Sequence, residues 1–396
     1  MNKPLDGIRV IELGQLLAGP FAGCMLGYFG AEVIKIEPPG GDPIRNWRKV
    51  KNGTSLWWHS LARNKKCISL NLKAEEGRGL VKKLLASADV VVENFRPGVL
   101  ESWGLDPGSM RRDNPDLIYA RISGFGQTGP YSSKAGFASA CEAISGFRYI
   151  NGFPGEPPVR PNLSLGDTIS GLHAVLGILM ALRSKDRGNG GQVVDVALYE
   201  SMFNLLEAVV PEYDGAGEIR EPSGTTITGI VPTNTYECKD GKYLVIGGNG
   251  DSIFMRLMGA IGRSDLADNP KYASNADRVA NQEFLDDVLE EWCKTLNTKD
   301  AMSILEESRV PCGPVYNVAD MMDDPHFNER ELFESVEING EPLSIPAILP
   351  KLSRSPGATE WPGPKIASHT DEILHGIGFT EHDIEMLKTS GVVADA

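Results

Sequence analysis

The chain has 396 residues, 41% of them apolar and 23% charged, with a formal net charge of −14. These proportions suit a soluble globular protein with enough chain for two cores. The acidic balance argues against nucleic acid or an anionic membrane as partner, since both need a concentrated basic face.

Six cysteines (Cys24, Cys67, Cys141, Cys238, Cys293, Cys312) are scattered without a CxxC pair. They predict reduced thiols in a cytoplasmic protein with no metal site. The chain opens directly into a strand-like run, without a signal-peptide pattern. Its longest apolar run, 172–182, falls short of the roughly 20 residues that span a bilayer.

In chain order, IRVIEL (8–13) reads as a buried strand, followed by a Gly-rich turn and helix over 14–30. Strands follow at 31–39, 67–72, 89–95 and 116–126, with a helix at 75–88. This alternation predicts parallel β-α-β units. A long helix is expected over 167–185, then a strand and a helix over 192–206. Residues 207–232 are rich in Gly, Pro, Ser and Thr and read as a linker. A β-hairpin turning at Lys239-Asp240-Gly241 opens a smaller α+β lobe over 233–330, with helices near 254–262, 281–296 and 300–310. Residues 331–396 are strand-like and Pro-rich, end in a helix at 381–391, and are expected to rejoin the first part, 1–206.

Several motifs could carry chemistry. The first strand-turn-helix invites a dinucleotide reading, and Glu37 ends the second strand. Gly14, Gly19 and Gly23 have the wrong spacing for GxGxxG, so close helix–sheet packing is the plainer account. RNKKCISLNLK (63–73) gathers Arg63, Lys65, Lys66 and Lys73, either as a solvated charged loop or as a phosphate contact. In VENFRPG (92–98), Asn94 and Arg96 follow a strand, where open α/β sheets bind ligands. GGNGD (247–251) is either an ordinary loop or a mobile flap whose backbone approaches a reacting centre. SGFGQTGPY (123–131) is a similar glycine loop. Asp167 begins an apolar helix and suits an N-cap. A helix N-terminus also favours an ionised carboxylate, which can act as a covalent nucleophile if one oxygen faces a cleft. Gly166 beside it would clear the approach. His173 reads as packing or surface.

Taken together, IRVIELGQLLAGPFAGCMLGYFGAEVIKIEPPGGDPIR, ISLNLK, VVVENFRPGVL, ISGFGQTGPY, SLGDTISG, GGQVVDVALYES and VPCGPVYNVADMMDDP occur in the order seen in class III CoA-transferases. The chain resembles that family, which includes formyl-CoA and L-carnitine CoA-transferases, from about residue 7 to 330. The resemblance implies a large Rossmann-like domain with a parallel sheet, an inserted small α+β domain and an interlocked homodimer. It implies coenzyme A as the carried substrate moiety and Asp167 as nucleophile, forming an aspartyl anhydride and then an aspartyl-CoA thioester. It places CoA contacts at Leu70, Lys73 and Asn94; we add Arg96 nearby, and Gln15 and Leu17 on the first loop, as further candidate contacts. It makes Gly247, Gly248, Asn249 and Gly250 the flap that shields the anhydride from water.

The sequence departs from the formyl-CoA:oxalate pattern at Leu17, Pro38 and Ser102, where those enzymes carry a Gln, an Arg and another basic residue. The expectation is therefore CoA transfer between an acyl-CoA and a free acid, a small dicarboxylate. The alternative is an isomerase of the same fold, a racemase or an intramolecular CoA shift. GFASAC (136–141) lacks the His-Asp pair that a racemase would use.

Overall fold

A computed structural model describes residues 3–394. The chain forms two compact units. Among the described residues, the first comprises 3–147, 161–207 and 328–394, and the second comprises 148–160 and 208–327.

The first unit is built on six parallel strands: β1 (Arg9–Glu12), β2 (Glu32–Glu37), β3 (Lys65–Ser69), β4 (Val90–Glu93), β5 (Ile118–Ser123) and β6 (Val193–Ala197). They lie in the order β3-β2-β1-β4-β5-β6. The direction of strand succession reverses between β1 and β4, leaving a crevice at their C-terminal ends.

Side chains on these strands point alternately to opposite faces. Ile11, Ile34, Ile36, Ile68, Val91 and Tyr119 pack on one face, with helix α2 (Glu75–Leu85) and the C-terminal helices α9 (Thr370–Gly376) and α10 (Glu381–Thr389). Val10, Val33, Val90, Val92, Ile118 and Ala120 pack on the other, against α1 (Ala18–Tyr28) and α4 (Leu165–Lys185). Burial on both faces is why the strands read as near-continuous apolar runs. In α2 the buried positions Gly77, Leu80, Val81, Leu84 and Leu85 recur at i, i+3, i+4, i+7 and i+8. Glu75 and Glu76 occupy its first turn, and Lys82 and Lys83 its last, complementing the helix dipole.

Helix α4 spans 21 residues, well beyond the 172–182 run, and is long and apolar enough by length and composition to cross a bilayer. In this unit it packs on α1, β5 and β6 and buries Gly166, Ser170, Ala174 and Ile178. Helices α3 (Ala138–Ile144) and α5 (Leu198–Phe203) lie beside it. The C-terminal segment returns to this unit. Asn71 N donates to Val392 O at 2.9 Å, and Leu70 bridges Val393 at the β3 edge.

The second unit carries a three-stranded antiparallel sheet of β7 (Thr233–Glu237), β8 (Tyr243–Gly247) and β9 (Cys312–Pro314), with β8 central. Helices α6 (Asp251–Ala260), α7 (Gln282–Lys294) and α8 (Thr298–Glu307) cover it around Tyr236, Leu244, Phe254, Leu285 and Leu305. The hairpin turns at Gly241, at φ 73°, as the sequence predicts. Residues 207–232 are not wholly irregular, because Val209–Ala216 is helical. Pro211 is tolerated there in the first turn, where no N–H is needed, and Gly217 closes the helix at φ 70°.

Candidate active site

The crevice between β1 and β4 opens into a cleft of about 310 Å³. Its walls come from the loops after β1, β4 and β5 and from the start of α4. They carry Gln15, Leu17, Asn94, Arg96, Ser123, Lys134 and Asp167, with Trp47 and Phe137 among the aromatic lining.

A buried ionic lattice shapes the β1 loop. Lys35 Nζ contacts Glu12 Oε1 at 2.9 Å, Asp42 Oδ2 at 2.8 Å and Gly14 O at 2.8 Å. Lys65 Nζ holds the other Glu12 oxygen at 2.7 Å and Pro20 O at 2.6 Å. Arg45 grips Glu37 with two hydrogen bonds, at 2.8 and 2.7 Å, and stacks over Trp58. Burial disfavours the charged Lys35 ammonium, yet Glu12, Asp42 and Glu37 outweigh it and raise its pKa. Burial likewise works against the Asp42 carboxylate, but Lys35 and the Ile44 and Leu16 N–H groups carry its pKa down. Gly23 is required by this lattice, since a Cβ there would sit 2.0 Å from Glu12 Oε2.

These contacts correct two expectations. Arg63 and Lys65 are neither solvated nor available to a phosphate: both are buried, and Arg63 pairs with Glu334. Lys66 pairs with Glu32 and Glu372. Glu37 is consumed by Arg45 and cannot serve a ribose.

The lattice acts on the cleft through Leu16, which sits at φ 62°, a left-handed conformation costly for a side-chain-bearing residue. Asp42 holds it there by accepting from Leu16 N at 3.1 and 3.3 Å. The neighbouring Gln15 is clamped by Asn94. Gln15 N donates to Asn94 Oδ1, and Asn94 Nδ2 donates to Gln15 O, both at 2.8 Å. The two loops flanking the crevice are thus stitched together, and both ends of the Asn94 amide are engaged.

Behind Asn94, the buried Glu93 accepts from Phe95 N and Arg121 Nε, each at 2.7 Å. Burial pushes its pKa up to about 7, with Arg121 opposing. Gly124 is set by close crossing: a Cβ there would lie 2.8 Å from Gly136 Cα. That contact brings the Phe137 segment over the end of β5.

Asp167 is half-buried and lies in the first turn of α4 rather than at its cap. The cap position is Ser164. Gly166 N donates to Glu142 Oε1 of α3 at 3.2 Å, and a Cβ on Gly166 would sit 3.2 Å from Ala138 Cβ. Gly166 therefore permits α3 and α4 to pack closely. Burial raises the thiol pKa of Cys141 to about 11, with the Asp167 charge next in weight.

The remaining predicted residues lie elsewhere. Leu70 is fully buried at the end of β3, its N–H taken by Glu37 O at 2.8 Å. Lys73 is exposed two residues before α2. Neither lines the cleft, although both follow a strand's C-terminal end. The glycine loop belongs to the second unit and is tethered there. Arg278 donates to Asn249 O at 2.6 Å and pairs with Asp251 at 2.7 Å. A Cβ on Gly248 would collide with Leu257 at 2.4 Å. Sequence reasoning singled out the 123–131 loop without naming Ser123, and it missed Lys134, Trp47 and Phe137. Ser123 ends a parallel strand, which was the available signal.

A profile described as CoA-transferase family III matches residues 5–370. The chain belongs to CoA-transferase family III. This family III CoA-transferase is 45% identical over 396 residues to the succinyl-CoA–D-citramalate CoA-transferase of Chloroflexus aurantiacus, covering 99% of this chain and 98% of that protein. It is 34% identical to the human succinyl-CoA:glutarate CoA-transferase over 99% of this chain and 90% of that one. A crystal structure of a CaiB/BaiF family protein from Brucella suis superposes with a TM-score of 0.84 at 35% identity, covering 95% of this chain and all of that one. As a family III CoA-transferase, the chain is an enzyme that moves CoA between an acyl-CoA and a free carboxylic acid.

Proposed function

We propose that this CoA-transferase exchanges CoA between succinyl-CoA and a second small dicarboxylic acid, with Asp167 as the covalent carrier. The observation that carries the reading is the place of Asp167: in the first turn of α4, lining the cleft off the ends of β1, β4 and β5. A carboxylate oxygen of Asp167 attacks the thioester carbonyl, and the C–S bond breaks to release CoA thiolate and an aspartyl anhydride. The thiolate then attacks the aspartyl carbonyl, freeing the donor acid and leaving an aspartyl-CoA thioester. The acceptor carboxylate attacks that thioester, and the same two steps run in reverse. No proton is gained or lost overall.

The dicarboxylate preference draws on the relatives, whose names pair succinyl-CoA with citramalate, malate, glutarate or mesaconate. Arg96 and Lys134 give the cleft two cations in an otherwise acidic chain. The strand order β3-β2-β1-β4-β5-β6 supports a Rossmann-like description of the first unit. Leu176, Met180 and Phe203 leave half or more of their surface exposed, an apolar face that suits a homodimer. The mass in solution, by sedimentation, checks this. In this reading the exposed Lys73 binds CoA. Six unpaired cysteines fit a cytoplasmic enzyme.

The test is a matrix of acyl-CoA donors against free acids, read by mass spectrometry for wild type and Asp167→Ala. Exchange is expected with succinyl-CoA and a C4 to C5 diacid, and a loss of at least about a thousandfold in the variant. An Asp167→Ala enzyme that still exchanges CoA rules out the covalent carrier.

A further inference from the structure

We propose that the Ser123 hydroxyl is a substrate-binding group of the cleft, donating a hydrogen bond to a carbonyl oxygen of the CoA thioester. The inference rests on the transferase reading of the cleft and adds a contact to it.

Ser123 is the last residue of β5 and lines the cleft together with Asp167. It is 6% exposed, and its Oγ has no hydrogen-bond partner among the described residues. The pleat places it on the same face as Tyr119 and Arg121. Tyr119 Oη donates to Leu105 O at 2.6 Å, and Arg121 binds Glu93 through Nε and Glu101 through Nη1, each at 2.7 Å, while its buried Nη2 has no partner among the described residues. Of these three residues, Ser123 lines the cleft.

A buried hydroxyl without a partner weakens the fold, and native proteins keep few of them. One at the ligand edge of a parallel sheet is explained if the ligand completes it. Asn94 on the same wall spends its Oδ1 and one of its two amide hydrogens on Gln15. A neutral hydroxyl suits a neutral carbonyl oxygen, which the thioester offers at its acyl group and in its pantetheine amides.

The distinguishing feature is the sign of the stability change. A hydroxyl completed by substrate contributes nothing to the empty fold, so Ser123→Ala should leave the unfolding midpoint unchanged or raise it. The same variant should weaken ligand binding by about 3- to 10-fold, the effect of one hydrogen bond. Ser123→Cys, nearly isosteric but a poor donor, should match it. Binding of free CoA and of succinyl-CoA would be measured by calorimetry in the Asp167→Ala background, where no covalent step intervenes, and KM and kcat in the otherwise wild-type enzyme.

Weakening of both ligands assigns the bond to a pantetheine amide. Weakening of succinyl-CoA alone assigns it to the acyl carbonyl. A lowered unfolding midpoint with unchanged affinities would show a structural hydroxyl held by water and overturn the proposal, as would no change in any quantity. Failure of the nucleophile reading appears separately, as exchange retained by Asp167→Ala.

Discussion

The reciprocal pair between Asn94 and the Gln15 backbone makes a prediction whose sign depends on pH. Asn94→Ala removes two hydrogen bonds of 2.8 Å. At about 1 kcal/mol net for each, the loss is about 2 kcal/mol. For a unit of this size that lowers the unfolding midpoint by roughly 4–8 °C. Asn94→Asp is nearly isosteric but not equivalent. At neutral pH its carboxylate still accepts from Gln15 N, and more strongly for being charged. Its second oxygen, however, replaces a donor with an acceptor against Gln15 O. One bond is lost and a repulsion appears, so we expect a net loss of about 1–2 kcal/mol at pH 7.

Protonation restores the missing donor, so the introduced carboxyl has a folded-state pKa above its unfolded value of about 3.9. A raised pKa contributes stability that is fully present below the unfolded value and is lost as pH rises through the folded one. The deficit of Asn94→Asp relative to wild type should therefore shrink as pH falls from 7 towards 4, whereas that of Asn94→Ala should stay constant. Thermal or urea unfolding of the three proteins across that range is the assay. If both variants unfold like wild type while their KM for the CoA thioester rises, Asn94 is a ligand contact and the clamp has no energetic weight.

Two further substitutions test the buried charges. Asp42→Ala removes the acceptor of Leu16 N and Ile44 N and leaves Lys35 and Lys65 sharing Glu12. We expect a stability loss of roughly 3 kcal/mol and a lower kcat as the left-handed turn at Leu16 relaxes, read by urea unfolding and exchange kinetics. Unchanged kcat in the folded variant would separate the lattice from the site. Glu93, whose pKa burial pushes up to about 7, contributes stability fully present below its unfolded value of about 4.3 and lost as pH rises through 7. Glu93→Gln should remove that slope from a pH series of unfolding free energies, an effect of at most roughly 4 kcal/mol, and an unaltered slope would refute the assignment.

The strands of the first unit were legible because burial on both faces writes them as apolar runs at β1, β2, β4 and β5. Helix α3 was not, since ASACEAI is short and made largely of small residues that carry no periodic signal. The hairpin Phe333–Ile338 and Glu341–Pro346 was read only as strand-like, although its turn Asn339-Gly340, at φ 52° and 81°, is a strong local hairpin signal. The cluster RNKK misled for a structural reason. On a strand its alternate residues face opposite ways, so Lys65 reaches the buried Glu12 while Lys66 meets Glu32 at the rim. No local pattern announces a partner that is 53 residues away in sequence, as Glu12 is from Lys65.

Asp167 shows the same limit at the cleft itself. Read along the chain, capping and nucleophilic attack compete for its carboxylate. In the fold the cap position falls three residues earlier, at Ser164, and Glu142 of α3 reaches across to take the Gly166 N–H. The acceptor for the exposed helix end comes from a neighbouring helix because Gly166 lets that helix within 3.2 Å of where its Cβ would be. A second carboxylate thus meets the structural need of the helix terminus. Asp167, in the first turn, stays within the favourable field of the helix dipole and lines the cleft. On this account Glu142→Gln should preserve exchange better than Glu142→Ala, because the amide oxygen still accepts from Gly166 N. Equal activity in the two variants would show that the helix end needs no such support.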